Sequence, residues 1–261
     1  MNAALPAPVD VKLMNVTASV LFAACAVLLA AALAWWAVRH PLFAIGAIVV
    51  EGDVAHNSAA TLRANVAPRL AGNFFTVDLE RAREVFEDVP WVRRAVVRRQ
   101  FPNRLRVQLQ EHRAEAYWGQ DAESRLVNSH GEVFEANTGD VETEGMPRLV
   151  GPDSMSAEVL AMYRGLKPLF EPLDLAIEQV TLTNRGGWSL ALDTGAVVEL
   201  GRGTTEEVLA RSERFARTLN QVTSKYSRRP EALVSADLRH NDGYAVRLRG
   251  VGTTDVQTQR N

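Results

Sequence analysis

Residues 16–38 read VTASVLFAACAVLLAAALAWWAV, a run without a charged side chain in which only Thr17 and Ser19 are polar. As an α-helix rising ~1.5 Å per residue, this run is about 35 Å long, enough to cross the hydrocarbon core of a bilayer. It ends in Trp35-Trp36, and tryptophan is enriched where a span meets the membrane–water interface. The sequence therefore predicts one transmembrane helix at 16–38, preceded by a disordered tail at 1–15.

A cleaved secretory signal peptide is the alternative interpretation of this run, because residues 30–34 resemble a cleavage site of small residues. Signal peptides have a shorter apolar core of ~7–15 residues, so an anchor is favoured. The positive-inside rule says little about the orientation of this helix, because only Lys12 and Arg39 are positively charged near its ends. Long domains, however, translocate largely regardless of their charge. We expect the short tail to be cytoplasmic and the long domain to be exported.

The composition of the chain limits what the exported part can be. The single cysteine, Cys25, lies inside the apolar run, so the exported part can form no internal disulfide. The net charge of the chain is −2, which argues against nucleic acid as a partner, since nucleic-acid binding usually demands a strongly basic surface.

Residues 45–112 show a strand, two helices and two further strands. The pattern predicts strands at 47–50, 94–100 and 104–110 and a turn at 51–53. The first helix is expected to be capped by Asn57 or Ser58 and to end early at Pro68. The second is expected to be capped by Asp78 and to stop before Pro90. This order is that of a POTRA domain, in which two helices pack on a three-stranded sheet. The expected core consists of Leu79, Phe86, Val89, Leu105, Val107 and Leu109.

Six arginines between Arg93 and Arg106 invite a nucleic-acid interpretation. They alternate with apolar positions and follow a membrane span, so a solvated sheet face explains them better.

Residues 113–250 have short strands with closely spaced turns and two helices, which predicts a mixed antiparallel β domain and an α+β chain. Strands are expected at 116–118, 125–127, 132–134, 177–183, 188–192, 196–200, 233–239 and 244–249, and an acidic loop at 137–146. A helix at 156–170 is expected to be capped by Ser154 or Ser156. Thr204 and Glu207 form a capping-box pair before a long helix whose buried side is predicted as Val208, Ser212, Phe215, Leu219 and Val222. Residues 251–261 are expected to be a disordered tail.

No pattern of catalytic residues is found in the sequence. His40, His56, His112, His130 and His240 lack the spacing of a helical metal site, and no H-E-x-x-H or C-x-x-C occurs. The turn Gly201-Arg202-Gly203 precedes a helix, where an anion can bind, but it lacks the lysine of a P-loop and is explained by a tight turn. We therefore expect no enzyme activity, no cofactor and no small-molecule substrate.

Five short motifs follow one another along the chain: PWV at 90–92, RRQFP at 98–102, MPRLVGP at 146–152, LGRG at 200–203 and DLR at 237–239. In this order they resemble the FtsQ/DivIB family of bacterial division proteins. Two positions depart from the family pattern: Ala114 replaces a proline, and His240 replaces an aromatic residue after DLR.

The resemblance implies a non-catalytic scaffold of the divisome in the inner membrane, with its C-terminal domain in the periplasm at the septum. It implies FtsB and FtsL as partners of that domain, and a role in recruitment for the POTRA domain. Arg202 and Arg239 are the predicted polar anchors, with His240, Gly243 and Tyr244 beside them. A hairpin turn at 241–243 explains Gly243 equally well without a partner.

Two other classes of protein remain open. A POTRA-bearing component of outer-membrane insertion or secretion should continue into a β-barrel with many alternating segments of ~10 residues, which this sequence does not show. A membrane-tethered hydrolase or lectin is disfavoured because no catalytic residues are recognised.

Overall fold

The computed structural model describes residues 9–120, 124–137, 139, 145–240 and 243–251. The chain divides into two compact units, one ending at Glu111 and the other beginning at His112. Both units combine helices with a sheet, so the predicted α+β class is confirmed.

Helix α1 spans Val9–Val38 and contains the predicted transmembrane run. Within the described residues it is the one helix long and apolar enough to cross a membrane. The helix begins earlier than predicted, so residues 9–15 are helical and not disordered. Asp10 lies in its first turn, where a negative charge is favourable beside the positive end of the helix dipole. The predicted tail at 1–8 lies outside the described residues.

The first unit continues with β1 (Ala47–Gly52), α2 (Ala59–Val66), α3 (Leu79–Glu87), β2 (Val92–Gln100) and β3 (Arg104–Glu111). The sheet order is β1-β3-β2, with β1 parallel and β2 antiparallel to β3. The predicted POTRA order is confirmed. Its core contains residues from both helices and all three strands, including Leu62, Val66, Val85, Phe86, Val89, Val107 and Leu109, with Ile48 and Val50 partly buried against it.

Two details of this unit differ from the prediction, and a third decides between the two caps expected for α2. The turn expected at 51–53 is wrong in part, because β1 continues to Gly52 by pairing with β3 as far as Leu109. Leu79 is only half-buried, since it begins α3. Ser58 caps α2, whereas the buried Asn57 donates its backbone and side-chain N–H groups to the Glu111 carboxylate at 3.0 and 3.1 Å.

The second unit contains a nine-stranded mixed sheet and two helices, α4 (Ser156–Phe170) and α5 (Thr205–Lys225). Its strands are β4 (Ala114–Trp118), β5 (Arg125–Asn128), β6 (Val133–Glu135), β7 (Arg148–Val150), β8 (Ile177–Leu182), β9 (Trp188–Leu192), β10 (Val197–Gly201), β11 (Leu233–Asp237) and β12 (Ala245–Leu248). The spatial order is β12-β11-β10-β9-β8-β7-β4-β5-β6. Three neighbouring pairs are parallel, β4 with β7, β7 with β8, and β10 with β11.

One large core holds this unit together. It joins the inner side chains of the sheet to those of α4 and α5, among them Trp118, Leu149, Leu160, Phe170, Leu190, Phe215 and Leu219. Phe170 of α4 and Phe215 of α5 lie with ring centroids 6.3 Å apart. The core therefore fixes α5 against the sheet and determines which positions of that helix face outward.

The ends of several elements in this unit differ from the predictions. Strand β7 was not among the expected strands, because it is formed by pairing with β4 and β8. Neither Ser154 nor Ser156 caps α4, since Met155 holds the cap position and the Ser156 hydroxyl donates to the Gly131 carbonyl at 2.6 Å. The capping box of α5 is confirmed, although Val222 is only half-buried.

Two predicted loop regions are described only in part. Residues 138 and 140–144 of the acidic loop and 252–261 of the tail lie outside the described residues. Val251, the first residue of the predicted tail, is half-buried and packs against the core of the second unit.

Candidate partner-binding groove

The turn after β10 and the segment after β11 lie side by side because these two strands are parallel neighbours. The carboxyl ends of parallel strands meet at the same edge of a sheet. The Leu238 backbone N–H donates to the Glu199 carbonyl at 2.8 Å, which extends this pairing to the residue before Arg239. A Cβ on Gly201, whose φ is +84°, would lie 3.0 Å from Cγ of Arg239. Pairing therefore brings the LGRG and DLR motifs together.

A basic groove lies between these strand ends and α5. It consists of two adjoining depressions of about 520 and 560 Å³ that share Arg211, Arg214, Leu238 and His240. The first is also lined by Arg202, Glu207, Ala210 and Arg239, and the second by Arg217, Thr218, Gly243 and Tyr244. All five residues predicted for partner binding, Arg202, Arg239, His240, Gly243 and Tyr244, therefore line this basic groove.

Sequence reasoning missed the three arginines that α5 contributes to the groove. Arg211, Arg214 and Arg217 recur every three residues along the helix, which places them on the same side. The opposite side, with Val208, Phe215 and Leu219, is buried. The spacing of these arginines was visible in the sequence, but nothing in the sequence indicated which edge of the sheet they would face.

Arg239, predicted as a polar anchor, already pairs with a carboxylate of its own chain. Its Nε and Nη2 atoms donate to the two carboxylate oxygens of Asp237, at 2.9 and 2.5 Å, and its backbone N–H donates to Oδ1 at 3.0 Å. These hydrogen bonds and the charge of Arg239 hold the pKa of the Asp237 carboxyl far below its usual range. The guanidinium therefore already has a bidentate partner within the chain.

The other arginines of the groove differ in how far they are engaged. Arg217 pairs with Glu213 one turn earlier on α5, and Arg211 donates to the carbonyls of Arg202 and Glu207. The side chains of Arg202 and Arg214 are exposed and make no hydrogen bond or ion pair with another residue that the structure describes. These two guanidinium groups are therefore available to a ligand with carboxylates.

Tyr244 makes contacts within its own unit, whereas Gly243 has no close contact with a described atom. The Tyr244 ring packs edge-on against Phe215, with centroids 5.0 Å apart, and its hydroxyl lies 2.5 Å from the Thr218 hydroxyl. Tyr244 therefore fastens the start of β12 to α5. Gly243 is exposed, its φ is not in the left-handed region, and no described atom lies within 4 Å of an added Cβ. Neither backbone conformation nor space requires glycine at this position.

Strand β12 forms one edge of the nine-stranded sheet, directly beside the groove. In the described part of the chain it pairs with β11 alone, so one row of its backbone groups faces away from the sheet. Such an edge can accept an added strand through main-chain hydrogen bonds. The edge strand β12 and the basic groove are therefore neighbours on the surface of this unit.

Comparison with known proteins gives matches to both units. Residues 43–112 match the family described as POTRA domain, FtsQ-type, and residues 116–239 match Cell division protein FtsQ/DivIB, C-terminal. A protein of Burkholderia pseudomallei named Cell division protein FtsQ is 41% identical over 93% of this chain and 94% of its own length. Proteins of the same name from Thiomonas arsenitoxydans and Bordetella pertussis are 35% and 36% identical, over 94% and 92% of this chain.

The chain belongs to the FtsQ/DivIB family. Family membership places it among bacterial cell division proteins, and its apolar first helix is consistent with a single-pass membrane protein. The match to the C-terminal family ends at residue 239, so it includes Arg202, Arg211, Arg214 and Arg239. His240, Gly243, Tyr244 and β12 lie beyond this match.

Proposed function

We propose that this chain is a non-catalytic scaffold of the divisome that binds FtsB- and FtsL-type partners through its C-terminal unit and links early and late division proteins at the septum. The observation that carries the proposal is the basic groove beside β12, whose outer edge is unpaired within the described residues, in a chain of this family. We propose 45–112 as the POTRA domain and 113–250 as the partner-binding domain, supported by the division into two compact units after Glu111.

The proposed partner contact combines two kinds of interaction. A segment of the partner pairs with β12 through main-chain hydrogen bonds, which are independent of side chains. Carboxylates on the same segment meet Arg202 and Arg214, because a guanidinium binds a carboxylate through two parallel hydrogen bonds. The arrangement favours an acidic partner segment that is extended where it follows β12.

Recovery of partners from cells tests this function. Cells expressing the full chain are crosslinked, and proteins attached to it are identified. Recovery of FtsB- and FtsL-type proteins is expected. Recovery of outer-membrane assembly components in their place would support the other class of POTRA-bearing proteins and contradict a divisome scaffold.

We further propose that the N-terminus is cytoplasmic and the C-terminal unit periplasmic. A reporter that fluoresces only in the cytoplasm should be bright when fused to the N-terminus and dark when fused to the C-terminus. The expectation rests on the uncharged run at 16–38 and on Trp35-Trp36 at its end. A mature protein that begins near residue 35 would identify the run as a signal peptide and contradict the anchor.

A further inference from the structure

The turn between β2 and β3 exposes an aromatic side chain at the tip of the hairpin. The Phe101 side chain is 82% exposed, more than Phe22 of α1 at 78%, although Phe101 belongs to a folded domain and not to an apolar span. A single exposed apolar side chain needs no explanation by itself. The position and the neighbours of Phe101 are what indicate a role.

The hairpin tip lies at the end of the unit where the chain leaves α1. Only residues 39–46 separate the end of α1 from the first residue of β1, Ala47, which pairs with Arg104 directly after the hairpin turn. The Gly46 backbone N–H donates to the Asn103 carbonyl at 2.9 Å. Phe101 is therefore held beside the segment that emerges from the predicted span.

A second exposed aromatic lies on the loop that contacts this segment. The Phe74 N–H donates to the Phe43 carbonyl at 2.8 Å, and the rings of Phe43 and Phe75 are 5.0 Å apart, with Phe75 48% exposed. Arg99 ties this loop to the hairpin by donating to the carbonyls of Phe74 and Val77 at 2.7 and 2.6 Å. The two exposed rings thus belong to one connected set of contacts.

Arginines concentrate at the same end of the open face of the sheet. On this face, Arg104 lies opposite Gln100 in the row next to the hairpin turn, and Arg106 lies opposite Arg98 in the following row. Two like charges directly opposite each other across strands are unfavourable. Arg98 and Arg104 make no ion pair with a described residue.

The acidic side chain on this face is Glu51, and it neutralises only part of the positive charge of these arginines. It belongs to the third row, opposite Gln108, and its carboxylate lies 3.5 Å from Arg106. The two rows nearest the exit of α1 therefore have an excess of positive charge beside the exposed Phe101. Arginine pairs with phosphate through bidentate hydrogen bonds, and aromatic side chains partition to the membrane–water interface.

We propose that this hairpin tip docks on the membrane surface, with Phe101 in the interface and Arg98, Arg104 and Arg106 on the phosphates of anionic phospholipids. The inference rests on the proposed single-pass anchor, because the anchor is what brings the tip to the bilayer. Docking relieves the repulsion between Arg98 and Arg106. It also holds the POTRA unit in one orientation on the membrane, whereas a tether alone would let it rotate.

Spin labels on the full chain in lipid nanodiscs test the docking. In a Cys25→Ser background, a nitroxide is attached through Phe101→Cys, where the apolar label replaces the phenyl ring. The matched control is Val54→Cys, an exposed apolar position just beyond the opposite end of β1, about 20 Å away. Depth is measured as a ratio, the collision rate of the label with oxygen divided by its collision rate with a water-soluble nickel complex. The ratio at 101 should exceed that at 54 severalfold in membranes that contain phosphatidylglycerol.

Charge variants and a label on native Cys25 complete the test. Arg98→Gln with Arg104→Gln should lower the ratio at 101, whereas Arg93→Gln with Arg94→Gln, which removes the same charge from the end of β2 away from the hairpin turn, should not. A ratio at 101 equal to that at 54, or one that is unchanged in pure phosphatidylcholine and in the hairpin variant, would overturn the proposal. A label at Cys25 that lies in water would instead show that the anchor, and with it the proposed function, is wrong.

Discussion

Arg202→Glu combined with Arg214→Glu should weaken binding of an FtsB-type partner by about 2 kcal/mol, or roughly 30-fold in Kd. Both guanidinium groups line the basic groove and lack an ion-pair partner among the described residues. Reversal therefore removes two attractive charges and repels an acidic segment without breaking a hydrogen bond or ion pair among the described residues. Isothermal calorimetry with the partner's exported segment measures the change.

A matched pair of variants separates this effect from net charge. Arg185→Glu combined with Arg229→Glu changes the charge of the chain equally, at two exposed positions that do not line the groove. The control pair should bind as the native chain does, with circular dichroism unchanged for both pairs. A basic substitution at the partner's acidic position should restore part of the loss. Native affinity in the groove pair would place the partner site elsewhere.

Arg239→Glu alone is a less selective test of the groove than the Arg202 and Arg214 pair, although Arg239 was predicted as a polar anchor. Asp237 holds the Arg239 guanidinium with two hydrogen bonds, so reversal would place two carboxylates against each other. Weaker binding by this variant would combine a lost contact with the partner and a disturbed end of β11. The groove pair avoids this because neither of its side chains has a partner within the described chain.

Phe86→Ala should destabilise the POTRA unit by ~3–5 kcal/mol, a large share of the stability of a small domain. The Phe86 side chain is 1% exposed and packs in the core formed by α2, α3 and the sheet. Truncation removes buried apolar surface and leaves a cavity that the surrounding core can fill only in part. Hydrogen exchange of the β2 and β3 amides in the full chain measures the loss.

Leu79→Ala is the control for this variant within the same helix. Leu79 was predicted to belong to the core, but it is half-buried at the first position of α3, so its truncation should cost clearly less. Exchange in the second unit should be unaffected by either variant if the two compact units unfold separately. Equal protection in Phe86→Ala and the native chain would mean that the assigned core is wrong.

Local patterns in the sequence were sufficient for features that depend on near neighbours. The transmembrane run is recognised from the length and composition of residues 16–38. The capping box of α5 is recognised from two residues three positions apart. The POTRA order followed from changes of period between helix and strand. Even here the ends of some elements differ from the prediction because of pairing with a distant strand. Strand β1, for example, continues to Gly52 because it pairs with β3.

One short strand, β7, was not predicted because its stability is not local. Strand β7 has three residues and exists because β4 and β8 flank it on both sides. Nothing within Arg148–Val150 distinguishes it from a loop. In the same way, Ser156 suits a helix cap by its chemistry, yet its hydroxyl bonds to the Gly131 carbonyl, which the fold brings into reach.

By itself the sequence determined that the chain has one apolar span, a POTRA unit and a second α+β unit, and it selected the five residues that line one side of the groove. Only the tertiary structure decided that Arg211, Arg214 and Arg217 join them, that Arg239 pairs with Asp237, and that β12 is an edge strand of the described sheet. Periodicity and capping depend on residues a few positions apart, and these are visible in the sequence. Strand order, ion-pair choice and the direction in which a helix presents its charges depend on packing between distant segments, which no local pattern encodes.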